Sequence, residues 1–157
     1  NKPIEIFEIF NAMKTLYIDM DNVLVDFPTG IARISDAQRN EFEGRLDEVL
    51  GIFSLMEPME GAVDSFHKLA HKYDTYILST APWENHTAWS DKLIWVKKYL
   101  GTPAYKRLIL SHHKNLNSGD YLIDDRLKNS VDKFVGEHIH FGMEKFPDWK
   151  SVCDYLL

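Results

Sequence analysis

Two aspartates stand where the first strongly apolar run of the chain ends. Leu16, Tyr17 and Ile18 precede Asp19, and Asp21 follows two residues later. An apolar run without polar alternation is typical of a buried strand in a parallel sheet. The carboxyl ends of such strands form the edge that binds ligands. Neighbouring carboxylates repel one another and resist leaving water, so a divalent cation, or a reaction that uses both groups, would explain why they stand together.

Three more polar groups follow apolar runs in the same way. They are the hydroxyls Ser79 and Thr80 after 76–78, the ammonium of Lys114 after 108–110, and the acids Asp124 and Asp125 after 121–123. Because the carboxyl ends of parallel strands share one edge of a sheet, we expect all four groups to converge. Carboxylates can attack phosphorus or bind a hard divalent ion, and hydroxyl and ammonium donors can hold phosphate oxygens. The pattern therefore indicates phosphoryl transfer.

The order of apolar and amphipathic segments predicts an α/β fold with a doubly wound parallel sheet. The predicted strands are 16–18, 73–78, 107–110, 121–123 and 139–141. The predicted helices are 31–50, a helix after Glu60-Gly61, and 89–100, 127–135 and 148–157. The segment from Pro28 to Met59 is too long for a strand-to-helix loop, which usually has a few residues. We expect it to form a small helical cap, inserted at about 28–60 in a single domain that spans 13–157.

Bulk properties argue against several classes of function. The formal net charge of −6 disfavours binding of long nucleic acid, which needs a basic face. No apolar run approaches the roughly 18 residues of a membrane span, so we expect no membrane partner. The single Cys153 leaves no intramolecular disulfide, as in a reducing compartment, and predicts a cytoplasmic protein. Residues 1–12 lack the basic start of a signal peptide and are interpreted as an extension of unclear role.

The four polar groups together resemble a known superfamily. The segments that carry the likeness are Asp19-Met-Asp21-Asn-Val-Leu-Val-Asp26-Phe27, Ile77-Leu78-Ser79-Thr80-Ala81-Pro82, Lys114 and Ile123-Asp124-Asp125-Arg126. In this order and spacing they resemble the haloacid dehalogenase superfamily, and within it the 5′(3′)-deoxyribonucleotidase family. The resemblance runs from Met13 to about Phe141. It implies a Mg²⁺-dependent phosphomonoesterase whose partner is a small phosphorylated substrate, a 5′ or 3′ (deoxy)nucleoside monophosphate.

The resemblance also assigns roles to individual residues. Asp19 would be the nucleophile that forms an aspartyl-phosphate, and Asp21 would protonate the leaving alcohol and then activate water. The implied phosphate ligands are the backbone N–H groups of Met20 and Asn22, the hydroxyls of Ser79 and Thr80, and the ammonium of Lys114. The implied magnesium ligands are Asp19, the Asp21 carbonyl and Asp124, with Asp125 a neighbouring acid that acts through water.

One position departs from the family pattern. Asn22 stands where the family most often has glycine. If the turn requires a left-handed backbone there, asparagine is the best-tolerated substitute. We therefore expect activity to survive the departure.

The substrate pocket is expected in and around the insertion. Phe27, Phe53 and Trp83 are candidates for stacking on a base, with Arg126 as a polar contact. Aromatic residues at such positions equally serve as core, and the sequence leaves both interpretations open. It also leaves open the sugar, the base, the 5′ or 3′ preference and the oligomeric state.

Two other functions fit parts of the pattern. A phosphoacceptor receiver domain also places acids, a hydroxyl and a lysine at a parallel-sheet edge. Receivers, however, carry the acid pair on the first strand, whereas Asp124 and Asp125 end the series here. Asp21, placed to act on a leaving group and then on water, also indicates a hydrolase. A phosphatase of sugar phosphates or another small phosphomonoester would share the catalytic residues and differ in the insertion.

Overall fold

The centre of the fold is a parallel sheet, seen here in a computed structural model that describes residues 13–157; the predicted extension, 1–12, lies outside these residues. The strands are β1 (Thr15–Ile18), β2 (Val25–Asp26), β3 (Glu57–Pro58), β4 (Asp74–Ser79), β5 (Leu108–Leu110), β6 (Tyr121–Asp124) and β7 (Glu137–His140). Five of them form the parallel sheet, in the order β5-β4-β1-β6-β7. The strand order reverses at β1, and open α/β sheets bind their ligands in the crevice at the carboxyl ends of the strands at such a point.

Five α-helices accompany the strands in the described part of the chain. They are α1 (Phe27–Ile31), α2 (Asp36–Glu41), α3 (Ala62–Lys72), α4 (His86–Tyr99) and α5 (Trp149–Leu156). Helix α3 buries Ala62, Phe66 and Leu69, which recur at helical spacing on one face. Helix α5 begins with a capping box. The Asp148 carboxylate accepts the Ser151 N–H, and the Ser151 hydroxyl accepts the Asp148 N–H. The predicted α/β class with a doubly wound parallel sheet is confirmed.

The sheet is buried on both faces, as a parallel sheet requires. The larger core includes Leu16, Ile18, Ile77, Ile123 and Ile139, all fully buried. The smaller core on the opposite face joins Tyr17, Leu78 and Leu122 to Val131 and Phe134. Within residues 13–157, no helix has both the length and the apolar character needed to span a membrane.

Two predicted helices are wrong. The predicted helix 31–50 is replaced by the short helix α2 and a 3-10 turn at Leu46–Glu48, and α1 ends where the prediction begins, at Ile31. Ser35 and Gln38 form a capping box that restarts the chain as α2, and Gly44 has a left-handed backbone, with φ of 77°, after that helix ends. A continuous helix over this range would break both features.

The predicted helix 127–135 is reduced to a 3-10 turn at Val131–Lys133. Asn129 and Ser130 have positive φ values of 56° and 63°, which a right-handed helix excludes. The other predicted elements are present, with ends that shift by a few residues. Helix α4, for example, begins at His86 instead of 89, because the Asn85 side chain caps it by accepting the Thr87 N–H.

The segment 27–59 contains α1, α2 and two 3-10 turns, at Leu46–Glu48 and Ile52–Leu55. Strands β2 and β3 pair antiparallel at its base, with Val25 opposite Pro58 and Asp26 opposite Glu57. This pairing brings the two ends of the segment together between β1 and α3. Its description as a cap inserted at 28–60 stays a prediction.

Candidate active site

Strand β1 delivers Asp19 to the carboxyl edge of the sheet. Its N–H donates to the Ile123 carbonyl of β6 (2.9 Å), which fixes the backbone at this point. Lys114 Nζ lies 3.0 Å from Asp19 Oδ1 and 2.5 Å from Asp124 Oδ2, and all three side chains are buried. Burial raises the pKa of Asp19, and Lys114 opposes that rise. Burial also works against the charge of Lys114, but its two carboxylate partners raise its pKa overall.

Three acids form a cluster beside this ion pair. One carboxylate oxygen from each of Asp19, Asp124 and Asp125 lies within 4.8 Å of the others. Burial, together with the charges of Asp19 and Asp124, raises the pKa of Asp125 to about 7. Hard oxygen donors in this arrangement suit Mg²⁺ or a similar divalent ion. Asp125, predicted to act through water, thus contributes its own carboxylate to the cluster.

The Asp21 carboxylate is paired separately from Asp19. Lys92 Nζ of helix α4 donates to Asp21 Oδ1 (2.9 Å) and to Ser79 Oγ (3.0 Å), and lies 4.5 Å from the centre of the Phe53 ring. The Lys92 side chain is fully buried, whereas the Asp21 side chain keeps 27% of its surface exposed. Burial raises the pKa of Asp21, Lys92 opposes the rise, and Asp19 adds to it.

The turn that carries Asp21 confirms one expectation and corrects another. Asn22 has a φ of 59°, so the turn does require a left-handed residue. Its N–H donates to the Val25 carbonyl (2.8 Å), however, and is committed to the turn. The assignment of the Asn22 N–H as a phosphate donor therefore does not hold in this structure. The role of Met20 stays a prediction.

The two predicted phosphate-binding hydroxyls lie where β4 ends: Ser79 is its last residue and Thr80 follows it. Ser79 is fully buried, and its Oγ accepts from Lys92. The Thr80 hydroxyl donates to the Ser111 carbonyl (2.7 Å). Each hydroxyl thus has a partner within the protein, and its contact with phosphate stays a prediction.

The four predicted pocket residues do not form one group. The rings of Phe27 and Phe53 meet edge to face with centroids 5.8 Å apart; Phe53 is buried and Phe27 is half-buried. Trp83 is 78% exposed, and its ring lies 6.0 Å from that of His112. The exposed Arg126 places Nε 3.8 Å from Asp125 Oδ2. Among residues 13–157, no ring contact joins Trp83 to the phenylalanine pair. Phe53 belongs to the core, as the alternative interpretation held.

Sequence reasoning missed Lys92. The buried residues of α4 are Ala88, Lys92, Trp95 and Val96. These positions have the spacing of one helix face, so the lysine occupies a place where the pattern demands an apolar residue. A charged residue on the buried face of an amphipathic helix is the signal that could have found it.

Sequence reasoning also missed two histidines behind the acid pair. His138 Nε2 and His140 Nε2, on β7, bond to the carbonyls of Asp124 and Asp125 respectively, each at 2.9 Å. Their rings stack with centroids 4.9 Å apart, and burial lowers the pKa of His138. Alternate residues of a strand share a face. The spacing of the two histidines could therefore have indicated that both contact the same neighbouring segment.

Known proteins resemble the chain over most of its length. The family described as "5' nucleotidase, deoxy (Pyrimidine), cytosolic type C protein" matches residues 46–147. A protein of Vibrio phage KVP40, provisionally named 5′(3′)-deoxyribonucleotidase, is 61% identical over 141 residues, which are 90% of this chain and 83% of that protein. The chain belongs to the 5′(3′)-deoxyribonucleotidase family.

A more distant relative carries the same family name, and a solved structure shares the fold. The cytosolic-type 5′(3′)-deoxyribonucleotidase of Homo sapiens is 29% identical over 164 residues, covering 86% of this chain and 76% of that protein. Among solved structures, YfnB from Bacillus subtilis bound to magnesium, provisionally described as a HAD-hydrolase, has a TM-score of 0.63 and 12% identity. The alignment covers 92% of this chain and 98% of YfnB, and it supports the fold. Family membership confirms the predicted superfamily and the enzyme class, a phosphoric monoester hydrolase, and removes the receiver-domain alternative.

Proposed function

We propose that the chain is a Mg²⁺-dependent phosphatase that hydrolyses the 5′ or 3′ phosphate of deoxyribonucleoside monophosphates through an aspartyl-phosphate on Asp19. The observation that carries the proposal is the setting of Asp19, whose carboxylate pairs with the Lys114 ammonium and belongs to one cluster with the carboxylates of Asp124 and Asp125. A carboxylate placed there has a cationic partner and two acidic neighbours that could share a divalent cation with it. Both features suit a nucleophile that attacks a dianionic phosphate.

In the first step, an Asp19 carboxylate oxygen bonds to phosphorus, and the bond between phosphorus and the sugar oxygen breaks. The electron pair of that bond stays on the sugar oxygen, which takes a proton from Asp21. Burial raises the pKa of Asp21, which supports a protonated carboxyl at this point. The products are the nucleoside, an aspartyl-phosphate and an ionised Asp21.

In the second step, a water oxygen bonds to phosphorus and the phosphorus–oxygen bond to Asp19 breaks. The electron pair of that bond returns to the Asp19 carboxylate, and the proton of the water passes to Asp21. Inorganic phosphate leaves, and both aspartates regain their starting states. Asp21 therefore acts as an acid and then as a base, and its partly exposed side chain allows contact with the leaving group and with water.

The transferred phosphate requires donors besides the catalytic acids. Lys114 supplies positive charge next to Asp19, and this charge would attract phosphate oxygens and orient the nucleophile. Ser79 and Thr80, at the end of β4, and the backbone N–H of Met20 are the other proposed ligands. We leave out the Asn22 N–H, because Val25 accepts it.

The charges of the site fit a divalent cation. Four carboxylates (Asp19, Asp21, Asp124 and Asp125) and two ammonium groups (Lys92 and Lys114) leave an excess of two negative charges when all are ionised. Asp19, Asp124, Asp125 and the Asp21 carbonyl would hold Mg²⁺. When bound, the ion would neutralise phosphate charge and polarise phosphorus–oxygen bonds.

The proposed substrate is a small deoxyribonucleotide in the cytoplasm. We also propose that residues 13–157 form one domain in which the segment 28–60 is a cap over the crevice. The half-buried Phe27, packed on Phe53 within this segment, is the aromatic residue best placed to contact a nucleoside. Trp83 and Arg126 are more exposed and are retained as contacts at the rim of the pocket.

A panel of monophosphates tests the proposal. Phosphate release would be measured on 5′- and 3′-deoxynucleotides, ribonucleotides and sugar phosphates, with Mg²⁺ and with a chelator. We expect metal-dependent release that is fastest on deoxynucleotides. Release confined to sugar phosphates would retain the catalytic assignments and reject the proposed substrate. A folded protein that releases phosphate from none of them would contradict the whole proposal.

A further inference from the structure

The most unusual buried group outside the predicted site is the ammonium of Lys92. The residue has no exposed surface, yet it lies in the middle of helix α4, on the face that packs against the rest of the protein. Its Nζ meets three different groups: the carboxylate of Asp21, the hydroxyl of Ser79 and the ring face of Phe53. It thus connects the proposed acid–base group, the end of β4 and the segment 27–59.

Stability alone is a weak reason for a lysine at this place. Desolvating an ammonium costs several kcal/mol, and well-packed apolar residues often replace a buried ion pair with no loss of stability. The neighbouring buried positions of the helix are Ala88, Trp95 and Val96. A methionine or leucine would continue that apolar face. The cation therefore indicates a task at its charged end.

The Asp21 carboxylate depends on Lys92 for its place. Lys92 is its only hydrogen-bond partner among residues 13–157, and it contacts a single oxygen, Oδ1. The other oxygen, Oδ2, is left for a proton, and the side chain retains 27% exposure toward solvent. Asp21 lies on a turn beyond the end of β1, where its backbone makes an isolated bridge to Val25 and is not part of the five-stranded sheet. Without Lys92 the carboxylate would be free to rotate into water.

Ser79 anchors the other side of the lysine. The hydroxyl is fully buried at the end of β4, and it accepts from Lys92 at 3.0 Å. A lysine side chain has four rotatable bonds, so its ammonium group can in general occupy many positions. Here the contacts with Ser79, Asp21 and Phe53 hold the ammonium in one position. That location relates Asp21 to the rigid sheet that also carries Asp19.

We propose that Lys92 is a positioning residue that holds the Asp21 carboxylate at the reacting atoms, with Oδ1 bound and Oδ2 directed to the leaving group and to water. This inference rests on the proposed function, since it requires Asp21 to move protons. Lys92 acts through Asp21, since the two hydrogen bonds of its ammonium go to Asp21 and Ser79. Its role differs from that of Lys114, which lies against the nucleophile.

The leaving group provides a direct test. A sugar alkoxide needs a proton as it departs, whereas 4-nitrophenolate leaves without one, so only the first depends on a well-placed acid. In Lys92→Met, we expect the single-turnover rate of phosphoryl transfer from a deoxynucleoside monophosphate to fall about 100-fold, the cost that a misplacement of about 1 Å can carry. Transfer from 4-nitrophenyl phosphate should fall less than about 10-fold, because the proton contribution is absent.

Two variants serve as controls. Lys97→Met removes an exposed lysine of the same helix and should leave both rates unchanged. Lys92→Gln retains hydrogen-bond donors without the charge and should recover part of the deoxynucleotide rate. Thermal unfolding and circular dichroism would establish that each variant is folded, and Lys92→Gln keeps the test open if Lys92→Met does not fold.

A double variant separates positioning from a general structural role. If Lys92 acts through Asp21, then adding Lys92→Met to Asp21→Asn should slow the deoxynucleotide reaction by less than about 3-fold, because coupled changes are not additive. Equal losses on both substrates, or additive losses in the double variant, would overturn the inference while the wild-type enzyme remained active. A wild-type protein without phosphatase activity would instead refute the proposed function.

Discussion

The carboxyl edge of the sheet and the segment 27–59 are built in different ways. At the sheet edge, backbone pairing positions two of the acids: the Asp19 N–H bonds to the Ile123 carbonyl, and Asp124 pairs with His140 of β7. The imidazole side chains of His138 and His140 add hydrogen bonds to the carbonyls of Asp124 and Asp125. The carboxylates therefore start from positions that the strands determine, and little depends on the identity of surface residues nearby.

The segment 27–59 is instead held by side chains. Asn85, at the start of α4, donates from Nδ2 to the carbonyls of Asp47 (2.9 Å) and Val49 (3.0 Å). The Gly51 N–H donates to the Thr87 hydroxyl, and Trp95 Nε1 donates to the Met56 carbonyl. The helices in the segment have only five and six residues. Such a segment can change residue by residue without disturbing the sheet.

This difference suggests a division between chemistry and selectivity. Substitutions at the sheet edge should slow the reaction of every phosphomonoester, because the reacting groups are the same for all of them. Substitutions in the segment should change the relative kcat/KM of different substrates. They should leave the rate on a small substrate that lacks a base, such as 4-nitrophenyl phosphate, unchanged.

Asp19→Asn should produce the largest loss. Without the attacking carboxylate, turnover should fall at least about 10⁴-fold on every substrate, as is typical when a nucleophile is removed. Since the change removes one of several repelling buried charges, the thermal unfolding temperature should not fall. Steady-state phosphate release and a melting curve would measure the two effects. A variant that kept a tenth of the wild-type activity would remove Asp19 from the mechanism.

Lys114→Met should cost both activity and stability. The change leaves Asp19 and Asp124 without their shared cation, and the loss of one partner of a buried pair costs about 3–5 kcal/mol. We expect kcat/KM to fall about 10²–10³-fold on deoxynucleotides and on 4-nitrophenyl phosphate alike. Chemical denaturation with and without Mg²⁺ would measure the stability. A loss on deoxynucleotides only would contradict the assignment of Lys114 to the sheet edge.

Phe27→Leu should change selectivity alone. Stacking of an aromatic ring on a base is worth about 1–3 kcal/mol, so kcat/KM for deoxynucleotides should fall about 10-fold, mainly through KM. The rate on 4-nitrophenyl phosphate should stay within about 2-fold of wild type, since that substrate lacks a base. The exposed Leu50→Ala in the same segment is a matched control. If both substrates lost activity equally, the division between chemistry and selectivity would be wrong.

The smallest effect concerns the pH dependence of stability in the metal-free protein. The pKa of Asp125 is raised from 3.8 to about 7 in the folded state, so the folded protein binds more protons than the unfolded chain between these values. Its contribution to stability is therefore present at low pH and is lost as the pH rises through about 7. Asp125→Asn should flatten the decline in melting temperature between pH 5 and 8 by about 3 °C or more.

A control variant and added Mg²⁺ test whether the pH dependence of the melting temperature comes from the acid cluster. The exposed Asp132→Asn should leave the pH profile as it is in the wild type. Added Mg²⁺ should also flatten the wild-type profile, because the ion would favour the ionised acids. A profile that neither Asp125→Asn nor Mg²⁺ alters would show that the acid cluster is not a cation site.

The sequence predicted the sheet edge well because the signals there are local. An apolar run that ends at Asp19, or at Asp124, specifies both the strand and the position of the acid at its end. Lys114 could be assigned from its place in the order of the motifs, a few residues after β5. The fold then brings it to Asp19. The left-handed turn at Asn22 was likewise readable from residue type.

The sequence failed where tertiary contacts decide the outcome. The helix predicted at 31–50 failed for a different reason, because the Ser35–Gln38 capping box and Gly44, which divide this range, are local signals that the apolar periodicity concealed. Lys92 was overlooked because a lysine on a helix usually lies in water, and only the fold places Asp21 and Ser79 around it. Phe53 and Trp83 look alike as aromatic residues in a sequence, but one is buried and the other is exposed.

The most direct test of the central claim is to detect phosphate on Asp19. Asp21→Asn protein would be incubated with Mg²⁺ and ³²P-labelled 4-nitrophenyl phosphate, whose leaving group departs without a proton from Asp21. The reaction would be quenched with acid and the label mapped by peptide mass spectrometry. We predict a hydroxylamine-sensitive phosphoryl group on Asp19, which accumulates because the second step lacks its base, and no label in Asp19→Asn/Asp21→Asn. Phosphate release by the wild type without any covalent label, or a label on another residue, would contradict the account.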